Sequence, residues 1–229
     1  LGSVFSIQNG VMKNAQLAEA FGQDTVLGAI GMLGGAVEAS GAANFMMDNP
    51  IIVGELSGAS SARVDAIVKA LQDAKLSAAA SNAILTEEWT KFVGWLGLSG
   101  LAVLTRQESW KFMADEDGAR MVARIMQETA QLPQHMGIPL KTGPLFTFDA
   151  ISSKDQDALV AFLRRRGEAQ STTAPNFRQS MLQDVDKGKQ FEVEETFGYV
   201  VRKAEELGLS VPTVETCYRI LAGLNRMLQ

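Results

Sequence analysis

Hydrophobic and polar positions follow two different patterns along the chain. Up to about residue 80, short β-prone runs alternate with helical stretches and are separated by glycines. The predicted strands are 3–8, 25–32, 51–54 and 76–80, and the predicted helices are 11–21 and 61–74. This βαβ-like order favours a parallel or mixed sheet covered by helices, with Ser60 or Ser61 as the N-cap of the second helix.

From about residue 82 onward the hydrophobic period becomes helical. The predicted helices are 83–97, 116–136, 154–166, 174–187, 192–207 and 214–228. Pro133 is expected to kink or split the second of these, and 137–148 is expected to be a loop. Gly94, Gly97 and Gly100 recur at three-residue spacing, a pattern that weakens a helix but allows close packing against a neighbour.

Composition narrows the possible classes of protein. The 229 residues carry 21 basic and 26 acidic side chains, a net charge of -5, without the basic stripe that nucleic-acid binding needs. Arg164–Arg166 is the only basic run, and we expect a solvated helix end there, just before Gly167. The single cysteine, Cys217, excludes an intrachain disulfide and suits the cytoplasm. No apolar run is long enough to predict a membrane span.

Three polar segments interrupt the apolar background. The first begins with Ser180–Asp184, where a hydroxyl and a carboxylate lie one helical turn apart, and continues to Glu192 and Gly198. Ile7–Gly10 ends a β-prone run on an Asn-Gly turn pair, and Glu88–Lys91 places a lysine beside tryptophan. Pattern alone explains the acidic cluster Glu192–Glu195 as the first turn of a helix, Asn9 as part of a simple turn, and Lys91 as a surface lysine whose stem lies along apolar surface.

Taken together, and in this order, the three segments resemble motifs of the ketopantoate reductase family. The resemblance implies the fold class α+β/α, in which the remnant of a Rossmann-like α/β sheet precedes an all-α helical C-terminal domain. It assigns 1–80 to the C-terminal part of a dinucleotide-binding domain and 81–229 to a helical substrate and dimerisation domain. Such enzymes begin with a Gly-x-Gly-x-x-Gly turn, which this sequence lacks. We therefore expect an incomplete copy with little or no activity by itself.

The resemblance also implies NADPH-dependent reduction of a 2-keto acid such as 2-dehydropantoate, by a homodimer without a metal. Lys91 is then the general acid that protonates the carbonyl oxygen, and aromatic neighbours that strip its hydration would ease this by lowering the ammonium pKa. Ser180 and Asp184 are expected to contact the substrate. Asn9 and Glu192 are expected to contact the NADP cofactor.

Two residues depart from the family pattern. The family usually carries asparagine four and eight residues after the lysine, where this chain has Trp95 and Ser99. An indole cannot replace the paired donor and acceptor of an amide, whereas the Ser99 hydroxyl remains a candidate substrate contact. The bulk of Trp95 leaves the choice of keto acid open, and the choice between NADP and NAD is open as well.

Two alternatives remain. The helical region could be an association module of a diverged relative whose chemistry is lost or altered. Apolar residues that could supply either a dimer face or an intrachain core are Leu207, Val211, Ile220, Leu221 and Leu224. A relative of 6-phosphogluconate dehydrogenase would also place helices after a nucleotide domain, but the Ser-Met-x-x-Asp and Trp-x-Lys segments make it the weaker alternative.

Overall fold

The computed structural model describes residues 2–32, 34–37, 40–47, 49–143, 147–152 and 155–228. It forms two compact units, Leu1–Glu88 and Trp89–Gln229. The first contains a small sheet with helices and the second is helical, so the predicted fold class is confirmed.

The first unit combines one mixed sheet with a separate hairpin. Its elements are α1 (Lys13–Phe21), β1 (Leu27–Gly31), β2 (Gly34–Val37), β3 (Ala43–Met47), β4 (Ile51–Glu55), α2 (Ala62–Asp73), β5 (Ala78–Ala80) and the beginning of α3 (Ile84–Thr105). The sheet has the strand order β1-β4-β5, with β1 antiparallel and β5 parallel to β4. Strands β2 and β3 pair only with each other in the part of the chain that is described.

Helices cover both faces of this sheet. Gly28 and Gly54 lie opposite each other on β1 and β4, and a Cβ built on Gly28 would be 2.8 Å from Cγ1 of Ile84. The absence of side chains at these two positions therefore lets the start of α3 approach the strands closely. The other face packs against α2 in a core formed by Leu27, Ala29, Ile51, Val53, Val64, Val68 and Ala78.

Two predictions for the first unit have clear outcomes. Ser61 is the N-cap of α2, because its hydroxyl accepts a hydrogen bond from the Val64 amide at 3.3 Å. The predicted strand at 3–8 is wrong, since only Val4 forms a bridge, parallel to Val26. The remaining residues of that segment pair with none of the described strands, so they form no strand despite their β propensity.

The second unit contains the rest of α3 and seven further helices in the described residues. These are α4 (Ser109–Ala114), α5 (Glu116–His135), α6 (Phe148–Ser152), α7 (Gln156–Thr173), α8 (Ser180–Asp186), α9 (Tyr199–Glu206) and α10 (Pro212–Met227). A π-helical turn at Glu194–Gly198 leads directly into α9. The core includes the fully buried side chains of Leu96, Ile125, Met126, Leu163 and Phe197.

Close packing explains why α3 is longer than predicted. A Cβ on Gly97 would lie 3.1 Å from the Val122 carbonyl oxygen, and one on Gly100 would lie 2.3 Å from Cζ of Phe197. The expectation that these glycines serve close packing is confirmed. Because burial against α5 and the π-helical turn compensates for the weak helix propensity of glycine, the helix continues to Thr105 instead of ending at residue 97.

Tertiary contacts also correct two predicted helix ends. Helix α7 does not end at Gly167 but continues to Thr173. Gly167 lets the helix pack closely onto α4, because a Cβ at this position would lie 2.6 Å from the Ala114 amide nitrogen. Arg164–Arg166 therefore lies within a helix. Helix α5 is not split at Pro133, which occupies its last turn.

The predicted helix 174–187 is wrong over its first six residues. Helix α8 begins only at Ser180, after the extended N-cap residue Gln179. The preceding segment is fixed by side chains around α4: the Trp110 indole donates to the Pro175 carbonyl at 2.9 Å, and the Gln179 amide donates to the Ser109 hydroxyl at 2.9 Å. Neither contact could be inferred from sequence periodicity.

Candidate active site

The candidate catalytic lysine lies on α3 among aromatic side chains. Lys91 is half-buried, while its neighbours Trp89, Phe92 and Trp95 are buried. Trp89 and Phe92 meet edge to face with their ring centroids 5.7 Å apart, and Phe92 stacks on Trp95 at 6.4 Å. Aromatic packing is therefore present on the stretch of α3 that carries Lys91, while an aromatic environment of the ammonium group itself stays a prediction.

A tyrosine of α9 extends this aromatic layer. The rings of Trp89 and Tyr199 lie 6.3 Å apart. Burial raises the pKa of Tyr199, so its phenol stays protonated at neutral pH. The contact brings α3 against the segment that follows Glu192, a neighbourhood that the sequence pattern did not reveal.

The loop after α5 packs beside the candidate lysine. The buried hydroxyl of Thr90 accepts a hydrogen bond from the Lys141 amide at 3.2 Å. A Cβ on Gly143 would lie 3.0 Å from the Thr90 methyl group, so the loop approaches α3 closely. The sequence predicted a loop at 137–148, but its attachment next to Lys91 is a new finding.

Ser99 lies eight residues beyond Lys91 on the same helix. Its side chain is 0% exposed, and its hydroxyl has no hydrogen-bond partner among the described residues. A buried hydroxyl without a partner has a free-energy cost, and a role in the site would explain the presence of one here. The substrate contact through Ser99 stays a prediction.

Ser180 and Asp184 lie on α8, one turn apart. Ser180 is its exposed first residue and Asp184 is half-buried. An ion-pair network links the residue before the N-cap of α8 to the last residue of that helix: Arg178 pairs with Asp186 and also with Glu108, each at a nitrogen–oxygen distance of 2.8 Å. Hydrogen bonds from Lys111 and, to a smaller extent, Arg178 lower the pKa of Glu108 to about 2. The carboxylate is therefore ionised at any pH near neutrality.

Glu192 is half-buried immediately before the π-helical turn. The sequence predicted a continuous helix with an acidic first turn, whereas Glu194 instead accepts a hydrogen bond from the Tyr218 hydroxyl at 2.8 Å and pairs with Arg202 at 3.2 Å. A Cβ on Gly198 would lie 2.9 Å from the Glu194 carboxylate. Single π-helical turns are frequently found at functional sites, so the turn next to Glu192 favours this residue as a candidate cofactor contact.

Asn9 belongs to the first unit, where it is half-buried in the predicted Asn-Gly turn. Gly10 has a φ of 88°, the left-handed conformation that glycine adopts without strain. The Gly10 carbonyl accepts a hydrogen bond from the Lys13 ammonium at 3.1 Å. The turn is therefore held by a charged group that sequence reasoning did not single out.

The described residues show neither a metal-binding cluster nor a membrane-spanning helix. They contain no group of three or more His, Cys, Asp or Glu side chains placed to hold a metal ion. None of their helices combines the length and apolar character required to cross a bilayer.

Comparison with known proteins identifies the family. Residues 83–225 match the model for the C-terminal part of ketopantoate reductase PanE/ApbA. The chain belongs to this family. A curated relative, the 2-dehydropantoate 2-reductase of Archaeoglobus fulgidus, is 28% identical over 223 residues, which cover 97% of this chain and 68% of the relative.

Solved structures of reductases share the fold. The 2-dehydropantoate 2-reductase of Geobacter metallireducens matches with a TM-score of 0.78 at 20% identity, over 96% of this chain and 68% of that one. A D-mandelate dehydrogenase in complex with NADH gives 0.80 at 17% identity, covering 99% and 71%. A dimeric ketopantoate reductase from Staphylococcus aureus gives 0.76 at 17% identity, covering 99% and 69%. The chain thus spans about two thirds of the length of these proteins.

Proposed function

We propose that the complete gene product reduces a 2-keto acid of the 2-dehydropantoate type with NADPH. The observation that carries the proposal is Lys91, a half-buried ammonium-bearing residue within an aromatic stretch of α3. A cation in such surroundings suits donation of a proton to a carbonyl oxygen, because it has lost part of its hydration. Membership in the ketopantoate reductase family supports the same chemistry.

Lys91 has two roles in this proposal. Its ammonium group donates a hydrogen bond to the substrate carbonyl oxygen and then transfers the proton as that oxygen gains negative charge. Its positive charge also stabilises the developing alkoxide. NADPH, when bound, supplies the hydride that reduces the carbonyl carbon, so the products are the 2-hydroxy acid and NADP.

The candidate cofactor residues offer groups that fit a dinucleotide. The half-buried amide of Asn9 can both donate and accept a hydrogen bond, and the Glu192 carboxylate can accept from ribose hydroxyls. Their placement beside a glycine turn and a π-helical turn gives each a locally fixed backbone. Neither residue decides between NADP and NAD, and we favour NADP on family membership.

On α8, the exposed Ser180 hydroxyl is proposed to bind the carboxylate or hydroxyl of the substrate. Asp184 would repel an anionic substrate, so we assign it to the positioning of neighbouring donors. Ser99 is proposed as a further substrate contact that replaces the amide usual in the family.

We also propose a cytoplasmic homodimer. Of the five apolar residues considered for a dimer face, Val211 and Leu221 are buried in the second unit, whereas Ile220 on α10 is 55% exposed. Ile220 is therefore the best candidate for an intersubunit contact, and light scattering of wild type and Ile220→Glu would test this directly. A monomeric wild type would contradict the proposal.

Steady-state turnover tests the proposed activity. The complete gene product would be assayed with 2-dehydropantoate and with a small aliphatic and an aromatic 2-keto acid, with NADPH or NADH, by loss of nicotinamide absorbance. We expect oxidation of NADPH with at least one keto acid. Nicotinamide binding without turnover of any 2-keto acid would contradict the assigned reaction, and no nicotinamide binding would contradict the enzyme class.

A further inference from the structure

A buried ion pair connects four separate segments of the first unit. The Lys13 ammonium and the Glu88 carboxylate lie 3.0 Å apart, and their side chains are only 5% and 2% exposed. Glu88 also accepts hydrogen bonds from the Asn14 amide at 2.6 Å and from the Ala29 backbone amide at 3.1 Å. The carboxylate therefore joins α1, β1 and the beginning of α3, and Lys13 adds the turn at Gly10 as the fourth segment.

Lys13 extends this network to the turn that carries Asn9. Its ammonium group donates both to Glu88 and to the carbonyl of Gly10, the residue that follows Asn9. Glu88 holds the buried Lys13 ammonium group in place, and Lys13 in turn fixes the Gly10 carbonyl. The N-terminus of α1 has no side-chain cap of its own, so the nearby carboxylate also suits the helix dipole.

Stability alone does not account for such an arrangement. Removal of two charges from water is costly, and well-packed apolar side chains of similar volume often stabilise a protein equally well or better. Buried charges that are hydrogen-bonded to several partners instead favour one geometry, because alternative positions leave a charge without those partners. The network therefore suits a function that needs the turn in one place.

We propose that Lys13 is a positioning residue that, with Glu88, holds the Asn9–Gly10 turn in the conformation required for nicotinamide-cofactor binding. This inference rests on the proposed function, since Asn9 is the candidate cofactor contact. Lys13 acts through Gly10 and does not itself touch the cofactor. Because Glu88 lies three residues before Lys91 on α3, the same helix carries both the turn's anchor and the candidate general acid.

Backbone hydrogen exchange in the complete gene product tests the anchor without reference to catalysis. In Lys13→Met, we expect exchange of residues 7–12 to rise at least tenfold, while β1 and β4 stay protected. Asn14→Leu removes another donor to Glu88 but leaves the Lys13–Gly10 bond, so exchange at 7–12 should remain within twofold of wild type. Lys69→Met, which removes an exposed lysine paired with Asp73 in the same unit, is the matched surface control.

Cofactor affinity then tests the role of the anchor. We expect Lys13→Met to raise the KM for NADPH at least tenfold, with a smaller change in kcat, and Lys69→Met to leave both unchanged. The double variant Lys13→Met/Glu88→Gln removes the unpaired buried carboxylate that Lys13→Met leaves. A purely structural role of Lys13 therefore predicts that both the thermal stability and the KM for NADPH recover in the double variant. Recovery of stability with KM still raised would support positioning, and recovery of both would overturn it.

The outcomes separate this inference from the proposed function. Unchanged exchange at 7–12 in Lys13→Met overturns the anchor whether or not the protein is a reductase. If exchange at 7–12 rises in Lys13→Met but the wild type binds no nicotinamide, the anchor is supported and the proposed function is contradicted. If Lys13→Met does not fold, Glu88→Gln carries the test, because its amide oxygen still accepts a hydrogen bond while Lys13 loses its charged partner.

Discussion

At the scale of single residues, burial decides which reactive groups are available. Cys217 is buried on α10, and desolvation together with the nearby Glu128 carboxylate raises the pKa of its thiol to about 11. The thiolate is the reactive form of cysteine, so this residue is inert in the folded protein. Cysteine chemistry is therefore no competitor to the proposed lysine-centred reaction.

Thiol alkylation provides the corresponding test. We expect Cys217 in the native chain to react with iodoacetamide at least about a hundredfold more slowly than in the urea-unfolded chain at pH 8, because exposure restores an ordinary thiol pKa. Mass spectrometry of timed samples measures both rates. Comparable rates in the two states would contradict the buried position.

Close contacts at Gly100 yield a second prediction. Alanine there would place its Cβ against the fully buried Phe197 ring, so we expect Gly100→Ala to lower the free energy of unfolding by about 1–3 kcal/mol. Gly223 on α10 is the matched control, since the nearest atom to its built Cβ is 4.0 Å away. Gly223→Ala should raise the stability by up to about 1 kcal/mol, as expected for an open helical site. Urea denaturation distinguishes these opposite signs.

At the scale of secondary-structure elements, a side chain from α5 provides the cap that α10 lacks. The N-cap residue Val211 offers no side-chain acceptor, and Glu128 instead accepts hydrogen bonds from the Thr213 and Val214 amides, each at 2.9 Å. Since Glu128 is buried, its removal would leave these amides unsatisfied.

Substitution of Glu128 tests the importance of this cap. We expect Glu128→Ala to reduce the free energy of unfolding by about 2–3 kcal/mol, because two backbone donors lose their acceptor. Glu128→Gln keeps an oxygen in place and should lose less than half as much. Equal losses in the two variants would show that the charge, and not the hydrogen-bond acceptor, matters.

The ion pairs of Glu108 make the stability of the α8 region depend on pH. The folded-state pKa of Glu108 is about 2, below the ordinary value of 4.5, so its contribution is present above pH 4.5 and is lost as the pH falls toward 2. Its partners Lys111 and Arg178 are partly exposed, which limits the contribution to about 1 kcal/mol.

Urea unfolding at two pH values measures this contribution. We expect Glu108→Gln to be less stable than wild type at pH 6, with the difference reduced at pH 3. Glu215→Gln, which removes an exposed carboxylate paired with Arg219 within α10, serves as the control. A difference between wild type and Glu108→Gln that grows on acidification would contradict the lowered pKa.

The elements also show where sequence reasoning succeeds and fails. Strong helical periodicity located α2, α5 and α10 nearly to the residue, because one face of each is buried and the ends carry recognisable caps or breaks. It failed at the start of α8 and at the π-helical turn, where hydrogen bonds from distant residues determine the backbone. It also missed the hairpin of β2 and β3, since β2 begins with two glycines and neither strand shows a clear alternation of polar and apolar residues.

At the scale of the whole molecule, the family and fold class could be predicted from three short segments, whereas the buried ion pair of Lys13 and Glu88 could not. Lys91, Ser180 and Glu192 were identifiable because they occur in recognised motifs. Lys13 was not, because a lysine in the first turn of a short helix looks like an exposed residue until its partner, 75 positions away, is placed beside it. Long-range ionic contacts leave no periodic trace in a sequence.

The proposed role of Lys91 as the general acid in 2-keto acid reduction is tested most directly by kcat/KM of the complete gene product after Lys91→Met. We expect a fall of at least about a hundredfold, typical of a lost general acid, with an unchanged thermal midpoint and NADPH affinity within about threefold. Lys111→Met is the control, since it removes another lysine of the second unit, one that lies over the Trp110 ring. A folded Lys91→Met variant that retains turnover within twofold of wild type would contradict the account.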